Sequence, residues 1–516
     1  MAAQTPPPSL GRQLTSSGDD PTGNTASASG HPSRSVGTML GTAGGTGTSV
    51  GASPSTFEVR LGGLTDPGVP GKNNQDDFFV WDSGDGQNFI LGVLDGHGRD
   101  LGSLAANVAK RSLQAELSAG FDKIRADPHT TLVTAFENAH LAVKQSFKEF
   151  YESAGWVVTE EPEGYLVRQR PSGGGKTCIH GGTTGTVVVV VDGRYVVVAN
   201  VGDSSILLCG SGGDVVMQPM ATWTPRGALS LQQVPGSSKL APGAPSTSLR
   251  HPVTGSRGEL SIAAADFSLK STAPAACSEL SKDHGPECAS EFLRMRDFRP
   301  NPGKPSVPAL SFVYDTLTAS KLKCPPIFDV ATDTTGKEVV TRTGRGTYYK
   351  NVRNEWATLV ATPPEAAFQD ALAFTRSIGD LHLQTYGVSH VPEVGWMDLM
   401  AYSVTAPGKA ASGPIAASGP IVLCVCSDGV WDNWKFEDVS QFLLHPGRVE
   451  FALKHETSQA CCVDLMQANL ERAKVNFGSS ADNMTAVLAY MVPALSGLAS
   501  AAGGTGVGEE GDVKLD

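Results

Sequence analysis

The sequence lacks the features that would place the protein in a membrane or on nucleic acid. It contains no uninterrupted apolar run of the roughly 18 residues that a membrane-spanning helix needs. Its formal charge of −12 and the absence of a basic stripe disfavour a nucleic-acid-binding surface. Its N-terminus lacks the basic-then-apolar order of a signal peptide. We therefore expect no membrane and no nucleic acid among its partners, and we expect a monomer.

Cysteines are few and unpatterned. The nine cysteines include no CxxC pair, so the sequence gives no support for a zinc site. Cys424 and Cys426 alternate within the apolar run IVLCVC, which predicts that they share one face of a strand. Reduced thiols of this kind favour the cytosol or the nucleus, although targeting to an organelle by residues 1–55 stays open.

Composition divides the chain into three parts. Residues 1–55 are rich in Ser, Thr, Gly and Pro and are predicted to be disordered. Residues 56–493 carry the patterned sequence and are predicted to form one folded domain, with irregular insertions at 219–276 and 406–420. Residues 494–516 are Gly/Ala-rich and then acidic, which predicts a flexible tail.

Hairpins and helix pairs dominate the patterned part. Asp192-Gly193 lies between two valine-rich runs, which is a strong hairpin signal, and a second hairpin is predicted around residues 77–94. Helical periodicity runs through residues 101–117, 132–150, 436–444 and 463–475. This pattern predicts an α+β fold in which antiparallel strands form the sheets.

Five aspartates stand at the ends of these apolar strands. They are Asp76, Asp95, Asp203, Asp428 and Asp482. Strand ends meet at one edge of a sheet sandwich, so these side chains could share one cleft. Each Asp taken singly is more often a turn residue, and Asp192 is interpreted as one. The recurrence of the pattern is what favours a site.

Clustered carboxylates repel one another unless cations neutralise them. Oxygen-only ligands favour hard ions, Mg²⁺ or Mn²⁺, over zinc. Gly96, directly after Asp95, would let its carbonyl approach such an ion closely. His97, two residues from Asp95, becomes a candidate proton donor, although a lone histidine is more often structural.

The order of motifs resembles that of the metal-dependent (PPM, type 2C) serine/threonine protein phosphatases. The matching segments, from about residue 57 to 491, are NQD at 74–76, LDGHG at 94–98, GGTTGT at 181–186, ANVGDSS at 199–205, LSKDHGP at 280–286, ALAFTRSIGD at 371–380, VPEV at 391–394, SDGVWD at 427–432 and ADNMT at 481–485. No single motif decides the assignment, but nine in order carry it.

The resemblance implies a central antiparallel β-sandwich flanked by helix pairs in four layers, α/β/β/α. It also implies two Mg²⁺ or Mn²⁺ ions, with Asp95 bridging both and the Gly96 carbonyl on one. Asp428 and Asp482 would bind the other ion, and Asp76 with Gln75 would order waters. Asp203 resembles the position that helps to hold a weaker third ion in some members.

The implied reaction is hydrolysis of phosphoserine and phosphothreonine in protein substrates. A water between the two ions would attack phosphorus, and His97 resembles the general acid that protonates the leaving oxygen.

The sequence departs from the family pattern in three places, the first of which is Gln75, where the family more usually has Glu. Gly71 stands near where the family often places a phosphate-holding arginine, so Lys72 is either its replacement or a solvated lysine. The segment before SIGD carries four basic residues, Arg342, Arg345, Lys350 and Arg353. They could recognise a phosphoprotein, but we expect most of them to be solvated.

Three other functions stay open at this point. The first is a catalytically impaired pseudophosphatase that acts as a regulatory binding module, which the weakened phosphate-holding position favours. The second is a hydrolase of small phosphate esters that uses the same site. The third, a structural β-rich binding protein, leaves the aspartates unexplained.

Overall fold

The computed structural model describes residues 57–210, 217–220, 223, 277–298, 309–317, 321–334, 336, 338–399, 419–455 and 457–493. The predicted segments 1–55 and 494–516 lie outside these ranges, as does nearly all of the predicted insertions 219–276 and 406–420. The division into domains and tails therefore stays a prediction.

The strands, in chain order, are β1 Phe57–Asp66, β2 Asp77–Asp82, β3 Phe89–Leu94, β4 Gly96–His97, β5 Val157–Glu160, β6 Leu166–Gln169, β7 Thr177–Cys178, β8 Gly182–Thr183, β9 Gly185–Val191, β10 Tyr195–Val201, β11 Ser205–Cys209, β12 Gln218–Pro219, β13 Cys277–Glu279, β14 Ser311–Tyr314, β15 Phe328–Thr332, β16 Glu338–Arg342, β17 Thr358–Ala361, β18 Ala371–Leu372, β19 Ile378–Gly379, β20 Glu393–Asp398, β21 Ile421–Cys426 and β22 Met484–Pro493. The helices are α1 Gly102–Ala119, α2 Phe121–Ala126, α3 Pro128–Ser153, α4 Ala289–Arg296, α5 Leu381–Gln384, α6 Asp428–Trp431, α7 Phe436–Leu443, α8 Pro446–Lys454 and α9 Gln459–Asn476.

Two antiparallel sheets face each other at the centre of the molecule. One has the strand order β1-β22-β21-β11-β13 and the other β12-β20-β10-β9-β3-β2. Alternate side chains of both sheets, such as Leu91, Val188 and Leu423, form the buried layer between them. The period of two along each strand puts one set of apolar residues in this layer and the other set on the outer face.

Helices cover both outer faces of the sandwich. Leu113 on α1 and Phe136 on α3 pack with the outer face of the sheet that contains β9 and β10. Leu465 on α9 packs with Cys424 and Cys426 on the outer face of the other sheet. The predicted α+β fold with four layers is therefore confirmed, and so is the shared face of the two cysteines.

The strongest local signals are confirmed as well. Asp192 and Gly193 have φ values of 56° and 58° and turn β9 into β10, as the Asp-Gly pair predicts. All nine cysteines are free thiols. Among the helices of the described ranges, none has both the length and the apolar character needed to cross a membrane.

The segment before the SIGD motif forms structure that the sequence patterns did not indicate. Strands β14, β17 and β18 make a three-stranded sheet, and β15 pairs with β16 in a separate hairpin. Phe312, Tyr314 and Phe374 lie in a buried apolar cluster of this region. The segment therefore has its own small core beside the sandwich, which fixes the loop at residues 347–356.

Candidate metal centre

Three of the five predicted aspartates converge. One carboxylate oxygen each of Asp95, Asp203 and Asp428 lies within 4.8 Å of the others, and we call these residues the acidic triplet. Asp95 follows β3, Asp203 lies in the turn between β10 and β11, and Asp428 begins α6 directly after β21. The triplet therefore joins both sheets at one end of the sandwich.

Buried hydroxyl groups hold the backbone of this end in place. The backbone N–H of Asp95 donates to Thr184 Oγ1 at 3.0 Å, and the N–H of Thr184 donates to the Asp95 carbonyl at 2.9 Å. Thr184 Oγ1 also lies 3.0 Å from Ser204 Oγ, next to Asp203. Thr184, which lies between β8 and β9, thus contacts the backbone of Asp95 and the residue next to Asp203.

Asp76 lies beside the triplet. Its Oδ2 accepts hydrogen bonds from Ser427 Oγ at 2.7 Å and Thr485 Oγ1 at 2.9 Å. Its Oδ1 is buried and has no hydrogen-bond partner among the described residues. Burial, together with the charges of Asp482 and Asp428, raises the pKa of Asp76 to about 7 against the two hydroxyl hydrogen bonds, which lower it.

Asp482 and Lys72 form a pair. Lys72 Nζ donates to Asp482 Oδ1 at 2.6 Å and to the Ala481 carbonyl at 3.0 Å. The Lys72 side chain is 34% exposed and the Asp482 side chain 39%, so solvent screens the pair. Asp482 is therefore outside the acidic triplet. Lys72 is held by Asp482 and by the Ala481 carbonyl, so it is not simply a solvated loop lysine.

His97 has a carboxylate partner from a distant motif. His97 Nε2 lies 2.6 Å from Asp380 Oδ2, and both residues are buried. Ser377 Oγ donates to the same oxygen at 2.6 Å. Burial raises the pKa of Asp380, but the His97 charge and these hydrogen bonds outweigh it and hold that pKa below its usual range.

Three short strands bring His97 and Asp380 together. Gly182 on β8 pairs with His97 on β4 and with Gly379 on β19. A Cβ on Gly182 would lie 2.5 Å from Asp380 Oδ2, so only glycine allows this approach. Gly96 is required for a related reason, since a Cβ there would lie 2.4 Å from the Gln75 carbonyl oxygen.

Two of the four basic residues before SIGD were interpreted wrongly. Arg342 and Arg345 are exposed, as expected. Arg353 is only 13% exposed and donates to the Trp431 carbonyl and to Glu355. Lys350 Nζ lies 3.9 Å from Asp203 Oδ2. The small core of their own segment carries both residues to the acidic site, which the charge pattern could not reveal.

Further carboxylates that the sequence reasoning missed surround Lys350. Ser205 Oγ donates to Asp283 Oδ1 at 2.9 Å, and burial raises the pKa of Asp283 to about 7 despite the Lys350 charge. Burial and the Asp428 charge raise the pKa of Asp432 well above its usual range. Asp283, Asp380 and Asp432 all lie within the quoted motifs LSKDHGP, SIGD and SDGVWD, so the motifs themselves were the available signal.

The residues present fit divalent cations. The triplet offers only carboxylate oxygens, Asp76 adds a buried oxygen without a partner, and no cysteine sulfur is among them. Such a donor set suits hard ions such as Mg²⁺ and Mn²⁺. Neighbouring carboxylates repel one another when all of them are ionised, so a bound cation would stabilise their charged forms.

The chain is similar to one protein family. Residues 69–222 match the family model described as protein phosphatase 2C, which bears out the resemblance seen in the motifs. The comparison with curated proteins found no match.

Several solved structures resemble the chain at low identity. A serine-threonine phosphatase 2C from Toxoplasma gondii is 15% identical with a TM-score of 0.42, covering 85% of this chain and 96% of that chain. The serine/threonine phosphatase Stp1 from Staphylococcus aureus is 14% identical with a TM-score of 0.36, covering 86% and 98%. The phosphatase PstP/Ppp from Mycobacterium tuberculosis is 14% identical with a TM-score of 0.33, covering 84% and 97%.

Proposed function

Because residues 69–222 of this chain match the protein phosphatase 2C family, we propose that its acidic site hydrolyses phosphoserine and phosphothreonine in protein substrates with divalent metal ions. The observation that carries the proposal is the convergence of Asp95, Asp203 and Asp428 from three different strand ends. Isolated turn residues have no reason to meet in this way, whereas ligands of a shared cation must.

The residues that would hold two ions are the triplet and Asp76, with the Gly96 carbonyl and Asp482 as further ligands. Mg²⁺ or Mn²⁺, when bound, supplies an activated water and neutralises charge on the phosphoryl oxygens. Lys72, which can leave its exposed partner, would hold the substrate phosphate as a point charge.

His97 would protonate the leaving serine or threonine oxygen. Its Nε2 is engaged by Asp380, and its Nδ1 is buried without a hydrogen-bond partner among the described residues. Nδ1 is therefore the ring nitrogen that Asp380 does not engage, and in this proposal it carries the proton for the leaving group. Asp380 fixes the ring and balances its positive charge when both nitrogens carry hydrogen.

One observation favours the alternative, a pseudophosphatase that acts as a binding module. Asp482 is paired with Lys72 at 2.6 Å instead of facing the triplet. If Lys72 keeps this position, the site loses one metal ligand and one phosphate contact together. The test below separates the two functions.

The test is release of phosphate from a phosphothreonine peptide by the purified full chain in Mn²⁺, Mg²⁺ or EDTA. We expect metal-dependent turnover that Asp95→Asn lowers by at least about a hundredfold. Asp192→Asn is the matched control, since that residue forms the β9–β10 turn and its left-handed backbone suits asparagine. Folded protein that binds metal and releases no phosphate would reject the enzyme and support the binding module.

A further inference from the structure

The side chain of Gln75 is bonded to the chain directly after His97. Gln75 Nε2 donates a hydrogen bond to the Gly98 carbonyl at 2.7 Å. A carbonyl oxygen can only accept, so this contact needs the amide nitrogen, and an ionised glutamate could not make it. A Cβ on Gly102 would lie 2.6 Å from Gln75 Nε2, so the amide also packs closely against the start of α1. The amide therefore has a defined position and a defined orientation.

The backbone of Gln75 is held as well. Its N–H donates to Asn483 Oδ1 at 2.9 Å, and its carbonyl accepts from the Gly96 N–H at 3.2 Å. Asn483 lies directly before β22, so Gln75 is anchored to a strand of the sandwich. One residue thus holds the chain on both sides of His97, at Gly96 through its backbone and at Gly98 through its side chain.

Two further contacts hold His97. Its backbone pairs with Gly182 on β8, and its Nε2 lies 2.6 Å from Asp380 Oδ2. These contacts act on β4 and on the imidazole ring. The Gln75 amide acts on the next residue, Gly98, where the chain leaves β4. The position of the ring therefore depends on Gln75 as well as on its carboxylate partner.

The resemblance to the phosphatase family implied another role for Gln75, that of an acceptor that orders a metal-bound water. The observed contact instead uses the donor group of the amide. We propose that Gln75 is a positioning residue for His97, which holds Gly98 and thereby the imidazole that protonates the leaving oxygen as the P–O bond breaks. The inference rests on the proposed function in one respect, namely that His97 is the general acid.

Two variants of similar side-chain length separate the donor role from the acceptor role. Gln75→Glu removes the donor and keeps acceptor oxygens, whereas Gln75→Met removes both. A positioning residue needs the donor, so both variants should lose activity. A residue that orders water needs only an acceptor, so Gln75→Glu would then keep its activity, and its added negative charge would preserve Mn²⁺ binding.

The leaving group of the substrate shows whether the loss acts through His97. A threonine alkoxide is a strong base and needs a proton as the P–O bond breaks, whereas p-nitrophenolate is a stable anion that leaves without one. We expect both variants to lower kcat on a phosphothreonine peptide between about tenfold and a hundredfold, with little change in KM. Their turnover of p-nitrophenyl phosphate should stay close to that of the natural protein.

Gln169→Glu is the matched control. Gln169 Nε2 also donates to a glycine carbonyl, that of Gly174 in the connection between β6 and β7. The substitution therefore removes the same kind of hydrogen bond at a place that the proposed site does not use. We expect natural rates on both substrates.

The kinetic outcomes decide the inference. A natural or higher kcat of Gln75→Glu on the peptide would show that the residue acts as an acceptor. An equal loss on the peptide and on p-nitrophenyl phosphate would show that it does not act through His97. Either result overturns the positioning role and leaves the phosphatase proposal untouched.

Hydrogen exchange decides the case in which the natural full chain releases no phosphate and the phosphatase proposal fails. Amide exchange of residues 96–102 is then followed by mass spectrometry in the natural protein, Gln75→Met and Gln169→Glu. Faster exchange in Gln75→Met alone would show that Gln75 holds the segment of His97. Equal exchange in all three proteins would overturn the inference.

Discussion

His97 and Asp380 are 283 residues apart in the chain, yet His97 Nε2 lies 2.6 Å from Asp380 Oδ2, and both side chains are buried. The contact depends on the backbone pairing of β4, β8 and β19, which leaves no room for a side chain at Gly182. A histidine ring held in one orientation beside a carboxylate is the consequence.

Removing the Asp380 charge should impair turnover and spare metal binding. We expect Asp380→Asn to lower kcat about a hundredfold with little change in KM, because the ring loses its orientation and its counter-charge. The measurement is steady-state kinetics on a phosphothreonine peptide, with Mn²⁺ binding measured in parallel. Ser377→Ala, which removes only the second donor to Asp380, should cost far less. An Asp380→Asn variant with unchanged kcat would exclude a positioning role.

Lys72 should affect substrate binding more than stability. Its pair with Asp482 is about one-third exposed on both sides, and such pairs contribute less than about 1 kcal/mol. We expect Lys72→Met to raise KM about tenfold, since one charge contact to phosphate is lost, with the free energy of unfolding nearly unchanged. Peptide kinetics and urea unfolding measure the two effects. Unchanged KM would leave Lys72 with a structural role only.

Glu291 should be important for stability. Its carboxylate is 4% exposed and accepts hydrogen bonds from Arg294, Arg376 and Thr375. Burial raises its pKa, but the two arginines outweigh burial and lower it. We expect Glu291→Gln to cost about 3 kcal/mol in urea unfolding, because two arginines lose their shared charge partner. Glu58→Gln, in an exposed pair with Arg60, is the control and should cost less than about 1 kcal/mol. Equal costs for both variants would contradict the prediction.

His140 should make the protein sensitive to acid. Burial, together with the charges of His390, stacked at 4.1 Å, and of Lys144, lowers its pKa from 6.5 to about 3 against the charge of Asp380. Between these values the unfolded chain binds a proton that the folded chain does not, so stability falls as the pH falls from 6.5 towards 3. The slope contributed by this one group is about 1.4 kcal/mol per pH unit.

The measurement for His140 is urea unfolding at several pH values in that window. His140→Gln should unfold with a shallower dependence on pH than the natural protein. His129→Gln, at an exposed position on the same helix, should follow the natural protein. Identical slopes for the natural protein and His140→Gln would show that the buried histidine is not the source.

Local sequence patterns determined the scaffold and part of the site. Alternating apolar residues and the Asp192-Gly193 turn define the β9–β10 hairpin, because both signals act between neighbouring residues. The strand-end pattern predicted that five aspartates could share a cleft, and Asp95, Asp203 and Asp428 do meet, whereas Asp482 lies outside the triplet. Their identity as metal ligands stays a proposal.

Only the tertiary structure decided what surrounds those aspartates. The pairing of Asp482 with Lys72, of His97 with Asp380 and of Lys350 with Asp203 joins segments that are far apart in the chain. No periodic pattern in the sequence encodes such contacts. The position of Lys350, for example, depends on how the small core beside the sandwich holds the loop at residues 347–356 against α6. The sequence alone therefore predicts that a charged loop residue such as Lys350 is solvated. Only the tertiary structure brings Lys350 close to Asp203.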